Sequence, residues 1–281
     1  MRGLGRSALR ALADRHGIRP TKALGQHFIA DPNLARAIVA DAAVGPGDRV
    51  LEVGAGLGSI TVALAEAGCE VLAVEFDRRV TPALREVSAG YPAIRVEEVD
   101  AMHADWRGLL GEGPWTMVSN LPFNISVPLM VELLEGVPAI ERYLVMVQRE
   151  VGERFVAGPG EEAYGCVSVR IAYRADAELV RRIPANVFWP RPNVDSVLVR
   201  IVPHPPRVDV DPAALLRVVE EGFAERRKTI SNAVRRVGFG LEEAGRILER
   251  SGVEPSIRAE RLGLEDFARI ATSLLDAGWR P

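Results

Sequence analysis

The sequence predicts an α/β fold: a doubly wound, mainly parallel sheet followed by a small all-helical domain. Three observations carry that expectation. Short apolar runs alternate with helix-patterned stretches through the first two thirds of the chain, the signature of strands covered by helices on both faces. A glycine-rich turn, Gly54-Ala55-Gly56-Leu57-Gly58, joins the first of these runs to the first helix. Beyond Pro203-His204-Pro205-Pro206 the strand-like runs cease and only helical patterns remain.

The first strand, Arg49–Val53, follows the turn Gly45-Pro46-Gly47-Asp48, and a helix over residues 59–67 ends at Gly68. Glu70–Glu75 is the second strand, with a helix over 81–87 behind it. Strands follow at 94–99, 115–119 and 142–147, with a helix at 128–134. Strands separated by helices require right-handed crossovers, which makes the sheet parallel and Rossmann-like. Residues 167–173 and 196–202 alternate in polarity without a clear helix between them, which predicts a terminal hairpin at one sheet edge. Helices are expected at 212–223, 225–237, 241–250 and 264–276. The proline cluster divides the chain into domains at 1–205 and 206–281.

Composition excludes several classes. With 281 residues, 48% hydrophobic and 26% charged, the chain is neither disordered nor fibrous. A net charge of −3 excludes a uniformly basic coat. The charge is unevenly placed, however. Within residues 1–22, Arg2, Arg6, Arg10, Arg15, Arg19 and Lys22 face Asp14 alone, and Arg226, Arg227, Lys228, Arg235 and Arg236 run without an acid until Glu242. Such segments suit a polyanion, or equally two solvated helix faces. Cys69 and Cys166 make neither a disulfide framework nor a CxxC pair, and the four histidines lack ligand spacing. A metal-free protein of a reducing compartment is expected. The uncharged run 113–131 is broken by Pro114, Pro122 and Pro128, against a membrane span, so the expected location is cytoplasmic.

The glycine turn lets backbone approach a ligand with no Cβ in the way, and the amides of Gly54 and Gly56 stand at a helix start. A dinucleotide fingerprint would need glycine at position 59, which is serine; the run is GxGxG preceded by Glu52. Glu75 closes the second strand and can accept both ribose hydroxyls of an adenosine-type ligand. Asp100 follows the third strand, where a carboxylate can meet the adenine amino group. Residues at the carboxyl ends of successive parallel strands share one crevice. Singly, each acid reads as well as a cap or a solvated carboxylate; together they favour an adenosine site.

At the end of the fourth strand stands Ser119-Asn120-Leu121-Pro122-Phe123-Asn124. Asn120 Oδ1 and the Leu121 carbonyl can each accept from an exocyclic amine, Pro122 holds Leu121 extended, and Phe123 offers a stacking face. That combination suits a planar, amino-bearing base.

Here the chain resembles a known family, the ribosomal RNA adenine N6-dimethyltransferases, above all their bacterial small-subunit (16S) branch. The resemblance rests on Lys22–Ile29, the Glu52–Gly58 loop, Val74–Asp77, Asp100–Met102, Asn120–Ser126, Phe188–Ser196 and Phe223–Thr229, and runs from about residue 18 to the end. It implies a class I methyltransferase domain using S-adenosylmethionine and a helical RNA-binding domain. Cofactor contacts would fall on His27, Ile29, Gly54, Glu75, Asp100 and Asn120, and catalytic roles on Asn120, Leu121 and Phe123. RNA contacts are expected from Arg226, Arg227, Lys228, Arg235 and Arg236, with small-subunit rRNA or the pre-30S particle as partner and a monomer as the working state. The departures are His27 where asparagine is common, Phe123 where tyrosine is commoner, and Asn193 where lysine is frequent. Alternative readings are a large-subunit rRNA methyltransferase conferring macrolide resistance, a non-catalytic RNA-binding assembly factor, and a dehydrogenase; Ser59 disfavours the last.

Overall fold

The structure is a computed structural model that describes residues 3–20, 25–225 and 227–281. Its contacts divide the chain into two units. One comprises Met1–Gly152 with Ala177–Pro203, the other Glu153–Asp176 with His204–Pro281. The division after Pro203 lies within two residues of the expected boundary. The second unit, however, also takes residues 153–176, which sequence patterning leaves in the sheet domain.

The first unit begins with α1 (Arg6–Arg15), followed by the two-residue strand β1 (Phe28–Ile29) and α2 (Pro32–Ala42). The sheet is then laid down by β2 (Arg49–Val53), α3 (Ser59–Glu66), β3 (Glu70–Glu75), α4 (Thr81–Ser88) and β4 (Ile94–Glu98). The chain returns through α5 (Trp106–Leu110), β5 (Trp115–Asn120), α6 (Ser126–Gly136) and β6 (Ile140–Gln148), and α7 (Arg149–Val156) carries it across the division. The remaining sheet elements are β7 (Ala175–Ile183), β8 (Phe188–Trp189) and β9 (Ser196–Pro203), with α8 (Cys166–Arg174) between α7 and β7.

Seven strands form one sheet in the order β4-β3-β2-β5-β6-β9-β7. The pairs β2–β3, β3–β4, β2–β5 and β5–β6 are parallel, while β9 runs antiparallel to β6 with Gln148 opposite Ser196. The chain builds outward from β2 to β4, then crosses back to start β5 beside β2. Strand order therefore reverses between β2 and β5, which opens a crevice at their carboxyl ends. Val50, Leu51, Val71, Leu72, Met117 and Val118 are buried, as expected of central parallel strands covered on both faces. Asp31 caps α2 by accepting from the Asn33 amide, with Pro32 at the first helical position.

The N-terminal segment is a docked helix. Leu9, Leu12 and Ala13 are buried with Phe28, Leu57, Val80 and Ala83. Arg6 donates to the Asn186 carbonyl at 2.6 Å, Arg10 lies over the Trp189 ring, and Arg15 and His16 both meet Glu86. Three of the arginines proposed for a polyanion are thus engaged within their own unit. β1 pairs antiparallel with β8, Phe28 facing Trp189, and the Trp189–Pro190 peptide is cis.

The expected hairpin over 167–173 and 196–202 needs correction. Residues 166–174 form α8, and the edge strand is its successor, β7. The alternation that suggested a strand also satisfies a helix, because Val169 and Tyr173 are four apart and both join the core of the second unit. β7 carries Glu178, paired with Arg200, and Arg181, paired with Asp41 at 2.8 Å, the charged face of an edge strand.

The second unit continues with α9 (Pro212–Ala224), α10 (Ile230–Arg236), α11 (Leu241–Arg250) and α12 (Leu264–Asp276) around Leu215, Val219, Ile230, Leu248 and Phe267. α10 is shorter than the expected 225–237. The Lys228 amide bonds the Glu225 carbonyl and Thr229 bridges to Arg258, so Arg227 and Lys228 sit in a turn ahead of the helix. No helix among the described residues is long and apolar enough to cross a membrane.

Candidate active site

The crevice predicted by the strand reversal is a cavity of roughly 270 Å³ at the carboxyl ends of β2, β3, β4 and β5. Two positions of its glycine turn, Gly54 and Gly56, leave no room for a side chain. Gly54 has φ +74°, and a Cβ there would lie 2.9 Å from Pro122 Cδ; Gly56 has φ +56°, and a Cβ would strike the Phe28 ring at 2.8 Å. The first close approach seats the Pro122 turn against the glycine turn.

Glu75 is buried and faces inward from the end of β3. Its carboxylate accepts from the Gly56 amide at 2.8 Å and the Asp77 amide at 2.9 Å, so the acid organises the glycine turn. Burial pushes its pKa up, and these backbone N–H bonds oppose the rise. Asp100 accepts from the Met102 amide and meets His103 Nδ1 at 2.9 Å; the histidine contact above all, then the amide, holds its pKa below the usual carboxylate range. Asp77 is likewise lowered, first by the hydrogen bond from Arg79, and it also accepts from Gln26 Nε2 at 2.8 Å. The exposed Phe76 ring lines the cavity beside them.

Asn120, at the end of β5, has an amide oriented by its neighbours. Nδ2 donates to the His27 carbonyl at 3.0 Å, while Oδ1 is buried and unpartnered among the described residues. A buried acceptor without a donor is costly, which marks Oδ1 as awaiting a ligand N–H. His27 is itself tethered through Nδ1 to the Pro190 carbonyl at 2.8 Å, and its ring lies 5.3 Å from that of Phe123. Residues 25–29 thereby form one wall of the cavity.

The structure brings His27, Ile29, Gly54, Gly56, Glu75, Asp100 and Asn120 together on this cavity. Leu121 and Phe123 do not line it. The Leu121 side chain is buried, and Phe123 stands beyond the cavity, half-buried against His27. Of the basic residues, Arg226 lies outside the described residues. Arg227, Lys228 and Arg235 are exposed in the second unit, whereas Arg236 is held by Glu221 at 2.6 Å and Glu225 at 3.3 Å. Gln26, Phe28, Phe76, Asp77, Ser59 and His103 also line the cavity, unmarked by sequence reasoning. The Ser59 hydroxyl donates to the Ile29 carbonyl at 2.7 Å, a contact across 30 residues that ties the start of α3 to the wall formed by residues 25–29.

The cavity suits an adenosine-type ligand on three counts: a Cβ-free loop, an inward carboxylate at the end of β3, and an orphaned acceptor at the end of β5. Known proteins resemble this chain in both sequence and fold. The family description "Ribosomal RNA adenine dimethylase" matches residues 18–276. Proteins named ribosomal RNA small subunit methyltransferase A from Streptomyces coelicolor and Cutibacterium acnes are 44% and 41% identical to this chain. The alignments cover 95% and 97% of it, and 96% and 94% of those proteins. Among solved structures, a dimethyladenosine transferase from Plasmodium falciparum superposes with TM-score 0.74 at 22% identity, over 90% of this chain and 99% of the other. The 23S rRNA methyltransferase ErmE superposes with TM-score 0.66 at 24% identity, over 88% and 99%.

Proposed function

This chain belongs to the ribosomal RNA adenine dimethylase family, and from that membership we propose that its cavity binds S-adenosylmethionine and presents the methyl group to an adenine held by the Asn120 turn. Its fold is that of the class I methyltransferases, and its reaction is N6,N6-dimethylation of adenine in small-subunit ribosomal RNA. The observation that carries the site assignment is the Asn120 amide, with Nδ2 bound to His27 and Oδ1 free.

The cofactor, when bound, supplies an electrophilic methyl group. Glu75, already fixed by two backbone amides, would accept the ribose hydroxyls, Asp100 would meet the adenine amino group of the cofactor, and the glycine turn would provide the space. The target adenine leaves its stack to reach the crevice. Asn120 Oδ1 and the Leu121 carbonyl each accept an N6–H, which draws nitrogen away from conjugation with the ring and aims its lone pair inward. Phe123 stacks on the base, a contact worth about 1–3 kcal/mol. Alignment of nitrogen with the methyl carbon then supplies much of the acceleration. The cofactor would supply the methyl group, and a nitrogen methylated there would shed its proton to solvent, since among the described residues no dedicated base stands beside the Asn120 turn.

We assign catalysis to the sheet unit and RNA binding to the helical unit through Arg227, Lys228 and Arg235, with the assembling small subunit as substrate. The small-subunit names of the 40–44% relatives favour that substrate over the large subunit. The test is mass spectrometry of rRNA from small subunits incubated with cofactor and protein. The wild type should dimethylate adenine. Asn120→Ala should lose transfer by at least about a hundredfold while cofactor affinity stays within a few fold. Near-normal transfer by that variant would remove Asn120 from its role.

A further inference from the structure

The cavity contains two acids for which the mechanism above has no use, Glu52 and Asp77, and only Glu52 lacks a cation or backbone amide to offset its charge among the described residues. Glu52, on β2 immediately before the glycine turn, lines the cavity and is almost wholly buried. Four carboxyl groups, Glu52, Glu75, Asp77 and Asp100, border this space, and among the described residues no lysine or arginine lines it. Three of the four have their negative charge compensated by the protein: Glu75 by two backbone amides, Asp100 by His103 and an amide, Asp77 by Arg79 and Gln26. Glu52 has a single hydrogen-bond partner among the described residues, the Thr61 hydroxyl on α3. The one charged group acting on it is Glu75 at the end of β3, a like charge; on the sheet its β3 neighbour is the apolar Ala73, and the Ser119 hydroxyl of β5 is bonded by the Val53 amide. His27 and His103 are the other titratable groups on the cavity wall.

A buried carboxylate with a like charge nearby and one hydroxyl donor is expensive to ionise. Burial first, then Glu75, pushes the Glu52 pKa up to about 8 against the opposing Thr61 bond, so the neutral carboxyl is favoured over the anion in the free protein near neutrality. S-adenosylmethionine brings a sulfonium and an ammonium against one carboxylate, a net positive charge. We propose that Glu52 is the counter-ion of the cofactor's positive charge and surrenders its proton to solvent as the cofactor seats. The proposal rests on the cofactor reading above. The Glu52 O–H bond breaks, the proton passes to buffer, and the carboxylate remains beside the cation. Cofactor binding becomes coupled to pH: affinity rises with pH up to the pKa of the free carboxyl and levels off beyond it.

Titration calorimetry of the full chain at pH 7, in phosphate and in Tris, measures the protons released. S-adenosylmethionine should release close to one per site, and its affinity should rise by up to about tenfold per pH unit from pH 6 to 8. 5′-Methylthioadenosine, which has neither cation, should bind without release. S-adenosylhomocysteine keeps the ammonium alone: release by both ligands makes the ammonium the partner, and release by S-adenosylmethionine only makes it the sulfonium, each in support. Glu52→Gln should abolish release while still binding methylthioadenosine, which reports that it has folded. Thr61→Val removes the donor that favours the anion, so the pH midpoint of cofactor affinity should move upward. Wild-type binding without proton release, or release that persists in Glu52→Gln, overturns the proposal. No cofactor binding at any pH would instead overturn the functional reading beneath it.

Discussion

Asn120 and Phe123 stand three residues apart on one turn but act differently on the base. Asn120 is held rigidly, its Nδ2 bound to a carbonyl distant in sequence, whereas Phe123 is half-buried beside the His27 ring. Phe123→Ala should therefore lower kcat/KM on small subunits by about 5- to 150-fold, the equivalent of a lost stacking contact. Phe123→Tyr should remain within a few fold of wild type; equal loss in both would place the base elsewhere. Gly54, Glu75 and Asp100 were legible in the sequence because each lies at a strand end, where topology alone fixes the direction faced. The part played by His27 was visible only through resemblance. Its carbonyl meets Asn120 across 93 residues and its ring meets Pro190 across 163, and such pairings leave no local trace.

Among the elements, α1 departs furthest from its charge pattern. Five arginines in the first 22 residues suggest a solvated or anion-binding arm, yet α1 buries Leu9 and Leu12 and spends Arg6, Arg10 and Arg15 on its own unit. Leu12→Ala leaves a void in a cluster that includes Phe28 and Leu57, beside the glycine turn. The expected cost is about 2–5 kcal/mol, read as a lowered thermal midpoint, with cofactor affinity falling as the Phe28 wall loosens. An unchanged midpoint would mean that α1 contributes nothing to the fold. The parallel strands were readable because burial on both faces makes them continuous apolar runs. α8 was not, since nine residues with alternating apolar positions fit either period, and the choice fell to a core that local sequence does not show.

At the scale of the whole molecule, the net charge of −3 conceals a division of labour. The cavity gathers acids suited to a cationic cofactor, while Arg227, Lys228 and Arg235 form no ion pair among the described residues and stay available to phosphate. Replacing Arg227 and Lys228 with alanine should reduce the slope of log affinity against log salt for small-subunit RNA by about 1.5–2, with cofactor binding unchanged. An unaltered slope would move the RNA footprint away from this turn. Arg236 is a poorer candidate than sequence suggested, because Glu221 and Glu225 already hold it. The composition indicated a globular chain, and the proline cluster lies beside one of the points where the chain passes between units. That residues 153–176 leave the first unit and the chain then returns to it was invisible, because a segment's allegiance depends on which core receives its apolar face.

The pairing of β1 with β8 has a consequence for synthesis. Phe28 leaves the ribosome well ahead of the partner strand that positions it, which emerges some 160 residues later. A nascent chain that has already made the glycine turn, Glu75 and Asn120 still lacks the far anchor of its front wall. The enzyme should thus remain unable to retain its nucleoside until translation has passed Pro203, which delays competence to methylate until the sheet has received its last two strands.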